Sequence, residues 1–552
     1  RMGHTEIDLH DDMDSLVGLR RTPREPFLPT TRSRNQVFEY AFDPDQPFKG
    51  QGKSFYVLGE DNVKVSAHSF DPQAGLISIQ SKTEPAPSLS LIPDEFVRPN
   101  PIPDAIADVV QTLLETDFSS SAISDFLLRN KPRFTDGTKA PIISPELSGI
   151  DLISAVIHTV NNLDDSYLCI QGPPGAGKTY TARHVISDLL AKGKRVGISS
   201  NSHKAIINLM DGIAEQVLDE RAPQRLFKVG GEADDPIFDR DNVEYRRDAK
   251  ACSAELNEPG LCVGGTAWLF CNALLKENQD TKRLDYLFID EAGQVSVANL
   301  IGMSRSAKNI ILMGDQMQLG QPIQGSHPGE SGLSILEYLL QGHATIPANM
   351  GVFLPLTYRM HPDICNLISE QIYDGRLKSA EQTEKHVVGL SPSILQKQSG
   401  VHFVQVDHNG NTQGSQEEVG VIASLAERML GHPLWEERTV GWPDMLFIAP
   451  YNYQVNLLRA ALPVEARIGS VDKFQGQEAP IVFLSMCASD ASESPRGLDF
   501  LFSKNRLNVA ISRAQALVIV VGSPKLATTP VNSLRQMELV NLFSTIVGYE
   551  SL

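Results

Sequence analysis

The sequence predicts an α/β protein built as two parallel-sheet halves. A small N-terminal β-barrel precedes them, and an accessory subdomain is inserted into the first half. Three observations carry this reading. From about residue 150 onward, short apolar segments alternate with helical stripes, the rhythm of a parallel sheet covered on both faces. A phosphate-loop pattern, "GPPGAGKT", directly follows the first of those strands. Ahead of them, residues 37–80 hold four short segments rich in β-branched and aromatic residues, "VFEYAF", "KSFYVL", "VKVSAHSF" and "GLISIQSK", separated by Gly, Asp, Asn and Pro.

In chain order, residues 1–36 are polar and broken by prolines and read as an extended arm; residues 37–95 read as the barrel-like domain. The opening "RMGHTEIDLHDDMDS" lacks the character of a signal peptide and reads as the start of a fragment. The first half is expected over 96–345. It starts with a helix at 101–115, where Pro and Asp precede helically spaced Ile106, Val109, Val110, Leu113 and Leu114. A second helix is expected at 151–163. Strand "SYLCI", the glycine loop and helix "TYTARHVISDLLAKG" follow. Further strands are expected at "RVGISS", "LCVGGT", "YLFIDEA" and "NIILMGD". The acidic, irregular stretch 211–260 interrupts this rhythm and reads as an inserted subdomain or a surface loop. The second half, 346–552, repeats the alternation with "VHFVQV", "DMLFIAP", "APIVFLSM" and "ALVIVVGS", but has no second phosphate loop.

The formal net charge is −18, the opposite of what a protein that merely coats nucleic acid would carry, although a local positive groove is compatible with it. The six cysteines are far apart and include no C-x-x-C pair, which argues against a zinc ribbon, an iron–sulfur cluster and a secreted disulfide framework. No run is long enough to cross a bilayer. A cytoplasmic protein without membrane partners is expected.

The chemistry sits in short motifs. Gly172, Gly175 and Gly177 allow backbone N–H groups to turn in around phosphate oxygens, at the positive end of the helix that starts near Lys178. Lys178 would meet the β- and γ-phosphates, and the Thr179 hydroxyl would meet Mg²⁺. In "YLFIDEAGQ" a strand ends in two carboxylates: Asp290, to hold the metal through water, and Glu291, to orient or deprotonate the attacking water. Gln318, in "LMGDQMQLGQP", is placed to sense the γ-phosphate. Arg359 in "PLTYRMHP" and Arg513 in "NVAISRAQ" are candidates to cross a cleft and neutralise γ-phosphate charge. In "SVDKFQGQEAPIVFLS", Gln475 and Glu478 flank a tight turn before a strand, and Glu478 would accept from a ribose hydroxyl or pair with a basic group. His361 has no partner for a triad, and no His/Cys/Asp cluster has metal-site spacing.

As an ordered set, "GPPGAGKTYTA", "GISSNSHKAIINLM", "CVGGTAWL", "DEAGQ", "GDQMQLGQP", "LTYRMHP", "VDKFQGQE" and "NVAISRA" resemble the superfamily 1 helicases. The similarity is greatest to the branch of the RNA-surveillance helicases and the helicase part of the Dna-two nuclease-helicases. "DEAG" and "SNSHKAI" look like the bacterial proteins that fuse a RecB-like nuclease to such a motor. The resemblance covers roughly 150–525 and implies two RecA-like domains that close on ATP and Mg²⁺. By it, Lys178, Thr179, Asp290, Glu291, Gln318, Arg359, Gln475 and Arg513 form the ATPase centre. Ser199, Asn201, His203, Lys204 and Thr266 would face a nucleic-acid strand. The sequence departs from the family in two places. Leu152 stands where many relatives carry an adenine-reading glutamine, and residues 1–150 show no spaced Asp, Glu and Lys set for a nuclease.

The expected activity is therefore ATP-driven 5′-3′ movement along single-stranded nucleic acid, DNA favoured over RNA. A nuclease would lie upstream in a longer chain or act in trans. Two alternatives stand beside this reading. One is a nucleic-acid-stimulated ATPase that remodels protein–nucleic acid complexes with little unwinding. The other is an ATP-gated protein scaffold.

Overall fold

The alternation of inward and outward residues in the N-terminal segments closes them into a barrel. In the computed structural model the described residues are 9, 14–30, 33–43, 46, 54–60, 63–71, 74–94, 98–216, 225–276, 284–320, 327–490 and 497–548. Contacts divide the chain into two units, 1–98 and 99–552.

The first unit is a six-stranded closed barrel of β1 (Leu16–Arg21), β2 (Gln36–Ala41), β3 (Ser54–Val57), β4 (Lys64–Asp71), β5 (Leu76–Ser81) and β6 (Ser88–Pro93), in the order β1-β2-β5-β4-β3-β6. The pairings are antiparallel, with Phe38 opposite Ile79 and Leu19 opposite Leu89. Leu16, Leu19, Phe38, Tyr40, Phe55 and Ile77 fill the interior. The Tyr40 hydroxyl donates to Ala86 O at 2.8 Å, so the ring is buried without stranding its polar end. Strand β1 comes from the stretch expected as an extended arm, which corrects that expectation for 16–21. Most of the rest of 1–13 and residues 31–32 lie outside the described residues. The barrel needs β1 to join β2 to β6 and leave no edge.

In the second unit the strands are β7 (Tyr167–Gln171), β8 (Val196–Ser199), β9 (Arg225–Val229), β10 (Val243–Arg246), β11 (Leu261–Gly265), β12 (Leu284–Ile289), β13 (Ala307–Gly314) and β14 (Gly351–Phe353). They form one parallel sheet ordered β10-β9-β11-β8-β12-β13-β7-β14. Its central strands are buried on both faces, which is why "YLCIQ" and "VGIS" read as unbroken apolar runs. Helices α1 (Ile102–Glu115), α2 (Gly149–Asn161), α3 (Lys178–Ala191) and α4 (His203–Gln216) pack around it.

Here the expected inserted subdomain is corrected. Among the described residues of 211–260, 211–216 end α4, and β9 pairs in parallel with β11 on one side and with β10 on the other. This stretch extends the first sheet, because "RLFKV" offers four successive buried positions beside β11. Residues 217–224 lie outside the described residues. Likewise β14, within the range expected for the second half, pairs with β7 of the first.

A two-stranded pair, β15 (Leu356–Thr357) with β16 (Lys378–Ser379), and helix α5 (Pro362–Ile372) lead into the second sheet. That sheet is also parallel and comprises β17 (Gly400–Gln405), β18 (Met445–Ile448), β19 (Arg467–Gly469), β20 (Ala479–Ser485) and β21 (Ala514–Gly522), ordered β17-β21-β20-β18-β19. Helix α6 (Lys504–Ile511) precedes β21. All six cysteines are buried and free, as core thiols should be. Among the described residues no helix is long and apolar enough to cross a membrane.

Candidate nucleotide site and nucleic-acid face

The end of β7 turns into α3 through the glycine loop, and this turn cannot be built with side chains. A Cβ on Gly172 would collide with Lys178 Cγ. Gly175 has φ +72°, and a Cβ there would lie 2.6 Å from both Arg359 Cβ and Thr357 Oγ1. The loop leaves its peptide groups bare and lets the second half approach closely. Lys178 opens α3 and folds back to donate to Gly172 O at 2.8 Å. Thr179 is exposed in the same first turn.

The neighbouring strands bring the carboxylates. Asp290 follows β12 and is buried; its N–H donates to Ser199 O at 2.8 Å, and one of its carboxylate oxygens accepts the Glu291 N–H at 3.0 Å. Burial, and then the Glu291 charge, hold the Asp290 carboxyl well above the usual carboxylate range, while Lys178 pulls it back. Glu291 sits in the left-handed region at φ 52°, a conformation non-glycine residues adopt at cost. After β13, Asp315 is also buried and raised by burial, with Lys178, Tyr373 and Gln318 opposing.

The residues present fit Mg²⁺ shared with a triphosphate. A buried carboxylate whose charge is poorly compensated, one exposed hydroxyl in the loop's helix and a bare peptide cradle are what this ion takes when phosphates supply its other oxygens. Among the described residues no cluster of three His, Cys, Asp or Glu side chains forms a cage for a metal by itself.

The second half supplies the positive charge. Tyr358 N–H donates to Gly175 O at 2.9 Å, and the Thr357 hydroxyl to Pro174 O at 3.0 Å, so the segment carrying Arg359 is bonded directly to the phosphate loop. Arg359 Nη1 donates to Ser512 O at 3.0 Å and Nε to Glu478. Glu478 also accepts from Gln515 Nε2 at 2.9 Å. Of its two expected partners, this structure places the basic one on Glu478. Arg513 is 2% exposed, with Nε on Val509 O at 3.0 Å, Nη1 on Gln477 O at 3.2 Å and Nη2 on Gln318 Oε1 at 3.4 Å. Burial first and the nearby Arg359 second push its guanidinium down to about 9. Gln475 is half-buried at the turn before β20.

A hydrogen-bond network ties the halves together here. Tyr373 OH donates to Asp315 Oδ2 at 2.6 Å, and Gln318 Nε2 donates to the same oxygen at 3.1 Å. Asn508 Nδ2 reaches Tyr373 OH at 2.8 Å and Met317 O at 2.7 Å, and Asn505 Nδ2 reaches Gln318 O at 2.6 Å. Asn508 lies inside "NVAISRA", so its motif was visible. Tyr373, at the end of α5, carried no signal.

The expected nucleic-acid residues divide. Asn201 and Lys204 are exposed and His203 and Thr266 half-buried, at the ends of β8 and β11 and the start of α4. Asn201 donates to Gln294 O. Ser199 is a correction: it is 1% exposed and its hydroxyl points at Met303 Sδ, because it is the last residue of a central strand covered on both faces. Sequence reasoning also missed Lys228. Its Nζ donates to Val229 O and Gly230 O and lies 2.8 Å from His203 Nδ1, which it orients.

A phosphate loop and carboxylate pair on one parallel sheet, faced by Arg359 from the segment after β15 and by Arg513 from the start of β21, define a two-domain P-loop fold of the RecA-like kind. Two family models, each described as an AAA domain, match residues 155–323 and 332–525. The chain is 28% identical over 425 residues to the DNA replication ATP-dependent helicase/nuclease JHS1 of Arabidopsis thaliana, covering 71% of this chain and 30% of that protein. It is 27% identical over 414 residues to the DNA polymerase alpha-associated DNA helicase A of Schizosaccharomyces pombe, covering 64% and 60%. With the DNA replication ATP-dependent helicase/nuclease dna2 of the same yeast it shares 26% over 454 residues, covering 76% and 31%. The chain thus spans between about a third and three-fifths of the length of these relatives. It belongs to the superfamily 1 helicases.

Proposed function

We propose that this chain is an ATP-dependent translocase and helicase that moves 5′ to 3′ on single-stranded DNA, powered by hydrolysis between its two sheets. The observation that carries the reading is the direct bonding of the phosphate loop to the Arg359 segment: whatever sits on the loop is felt at once by the other half. The choice of DNA is supported by the relatives, each named as a DNA helicase or a DNA replication helicase/nuclease. The direction rests on resemblance. A nuclease partner, in a longer chain or in trans, is part of the same proposal.

In the reaction, Lys178 leaves Gly172 O for the β- and γ-phosphates. Glu291 orients water for in-line attack on the γ-phosphorus and takes its proton, and the bond to the bridging oxygen of ADP breaks. Thr179 and Asp290 would hold Mg²⁺, which would supply charge neutralisation on the phosphates. Arg359 exchanges Glu478 for the γ-phosphate, and Arg513 acts beside it while Gln318 reports phosphate loss through Asp315 and Tyr373. Closing and reopening of the cleft alternates the grip on a strand contacted near Asn201, His203, Lys204 and Thr266.

Steady-state hydrolysis with Mg²⁺ tests this, run without nucleic acid, with single-stranded DNA and with single-stranded RNA. DNA should stimulate more than RNA, and Lys178→Ala should lose at least about 100-fold of the rate, the scale of losing one preorganised charge contact. Tailed duplexes check direction: unwinding should require a 5′ tail. A rate indifferent to both polymers would sink the motor reading in favour of an ATP-gated scaffold.

A further inference from the structure

Beside the phosphate loop lies a cavity of about 360 Å³ between the start of α2, the start of α3 and residues 354–358. Gly175, Ala176 and Gly177 line it from the loop itself. A nucleotide whose phosphates rest on the loop therefore has its base within reach of this space. The volume falls in the range of small-ligand pockets, roughly 300–1,000 Å³.

The walls are apolar. Leu152 is buried, Ile150 is 79% exposed on the first turn of α2, and Tyr358 is 43% exposed. An isoleucine and a tyrosine ring left in water at a pocket mouth are the surfaces a flat aromatic ligand would cover. The polar side-chain groups are hydroxyls: Ser148, which makes no capping bond to α2, Thr181, and the phenols of two tyrosines. A hydroxyl donates or accepts by rotating, so it suits the edge of any base. Telling adenine from the others takes a donor and an acceptor fixed side by side, as a carboxamide presents to N6 and N7. Among the described residues, none of the fourteen around the cavity carries a carboxamide or a carboxylate.

We infer that this cavity holds the nucleobase by stacking and apolar contact without reading its edge, so that the motor accepts purine and pyrimidine nucleoside triphosphates alike. The inference deepens, and rests on, the assignment of the loop as the site of nucleotide hydrolysis. Leu152 is the position that sets this breadth.

The test is kcat/KM for ATP, GTP, CTP and UTP on the full chain with saturating single-stranded DNA. Alongside it, ADP, GDP, CDP and UDP displace a ribose-labelled fluorescent ADP at equilibrium. The four values in each series should lie within about 30-fold of one another, the discrimination open to an apolar slot; a site that hydrogen-bonds its ligand rejects the wrong one by about 10⁴-fold. A preference for the adenine nucleotide beyond about 30-fold in the displacement series overturns the inference. Leu152→Gln should raise the ATP-to-CTP ratio by giving adenine a bidentate partner; an unchanged ratio in a variant that still binds nucleotide overturns the placement of the base. Should no triphosphate be hydrolysed, the motor reading fails, and the displacement series still decides the base slot.

Discussion

The two sheets of the second unit share a parallel architecture and use opposite ends of it. In the first, the functional groups follow the C-terminal ends of strands: the glycine loop after β7, Asp290 and Glu291 after β12, Asp315 after β13. This is where open α/β sheets bind ligands. In the second, Glu478 and Arg513 stand immediately before β20 and β21, at the N-terminal ends. The C-terminal ends there are closed by a buried polar knot. Glu418, fully buried, accepts from the Ser485 hydroxyl at 2.6 Å and the Cys487 N–H at 2.9 Å, and lies 2.9 Å from His408 Nε2. His408 Nδ1 in turn meets Ser489 Oγ at 2.7 Å. One half leaves its strand ends open for a substrate, and the other fills them and turns its opposite edge to the cleft.

If that knot is structural, the sharpest way to show it is Glu418→Ala. The change strands the Ser485 hydroxyl, the Cys487 N–H and His408 in a dry site, and should cost about 3–5 kcal/mol. Denaturant unfolding followed by second-half fluorescence from Trp435 or Trp442 would read it, with hydrolysis falling only as the folded fraction falls. A variant of undiminished stability and lost turnover would instead make the knot a second functional site.

Tyr373→Phe probes the seam between the halves and should have an intermediate effect. It removes the hydroxyl shared by Asp315 and Asn508, leaving buried groups unpaired at a cost of about 1–3 kcal/mol. Because Asp315 also holds Gln318, kcat should drop while KM for nucleotide changes little. A fall confined to stability would show that the network fastens the halves without relaying the state of the phosphate.

What the sequence disclosed follows the same division. The first half's chemistry was legible because each group lies within a few residues of a strand that announces itself: "YLCIQGPPGAGKT" and "YLFIDEA" carry strand, turn and reactive side chain together. The arginines were legible only as candidates, since their role depends on pairing across the cleft. Strand β1, "LVGLRR", gave no signal because its register is set by β6, about seventy residues on. Strands β9 and β10 were hidden by the acidic loop between them, and Ser199 misled because a motif fixes a residue's neighbours in sequence but not the face its side chain takes. Tyr373 and Asn508 meet across 135 positions, and only tertiary structure could have joined them.

The smallest expected effect contrasts two buried ionisable side chains away from the nucleotide site. The second half's is Glu418, surrounded by donors. The first half's is Lys228, fully buried and held by carbonyl oxygens and His203, with Asp235 as the opposing charge nearby. Burial pushes the Lys228 ammonium down to about 8, from 10.5 in an unfolded chain. Between those values the unfolded chain holds a proton the folded one has lost, so Lys228's contribution to stability rises with pH across that window and is flat below it. The unfolding free energy of the parent minus that of Lys228→Met should therefore climb above pH 8, with a slope of at most about 1.4 kcal/mol per pH unit. A difference that stays level to pH 10 would mean that the carbonyl cage compensates the ammonium fully, and that the first half carries its buried cation as comfortably as the second carries Glu418.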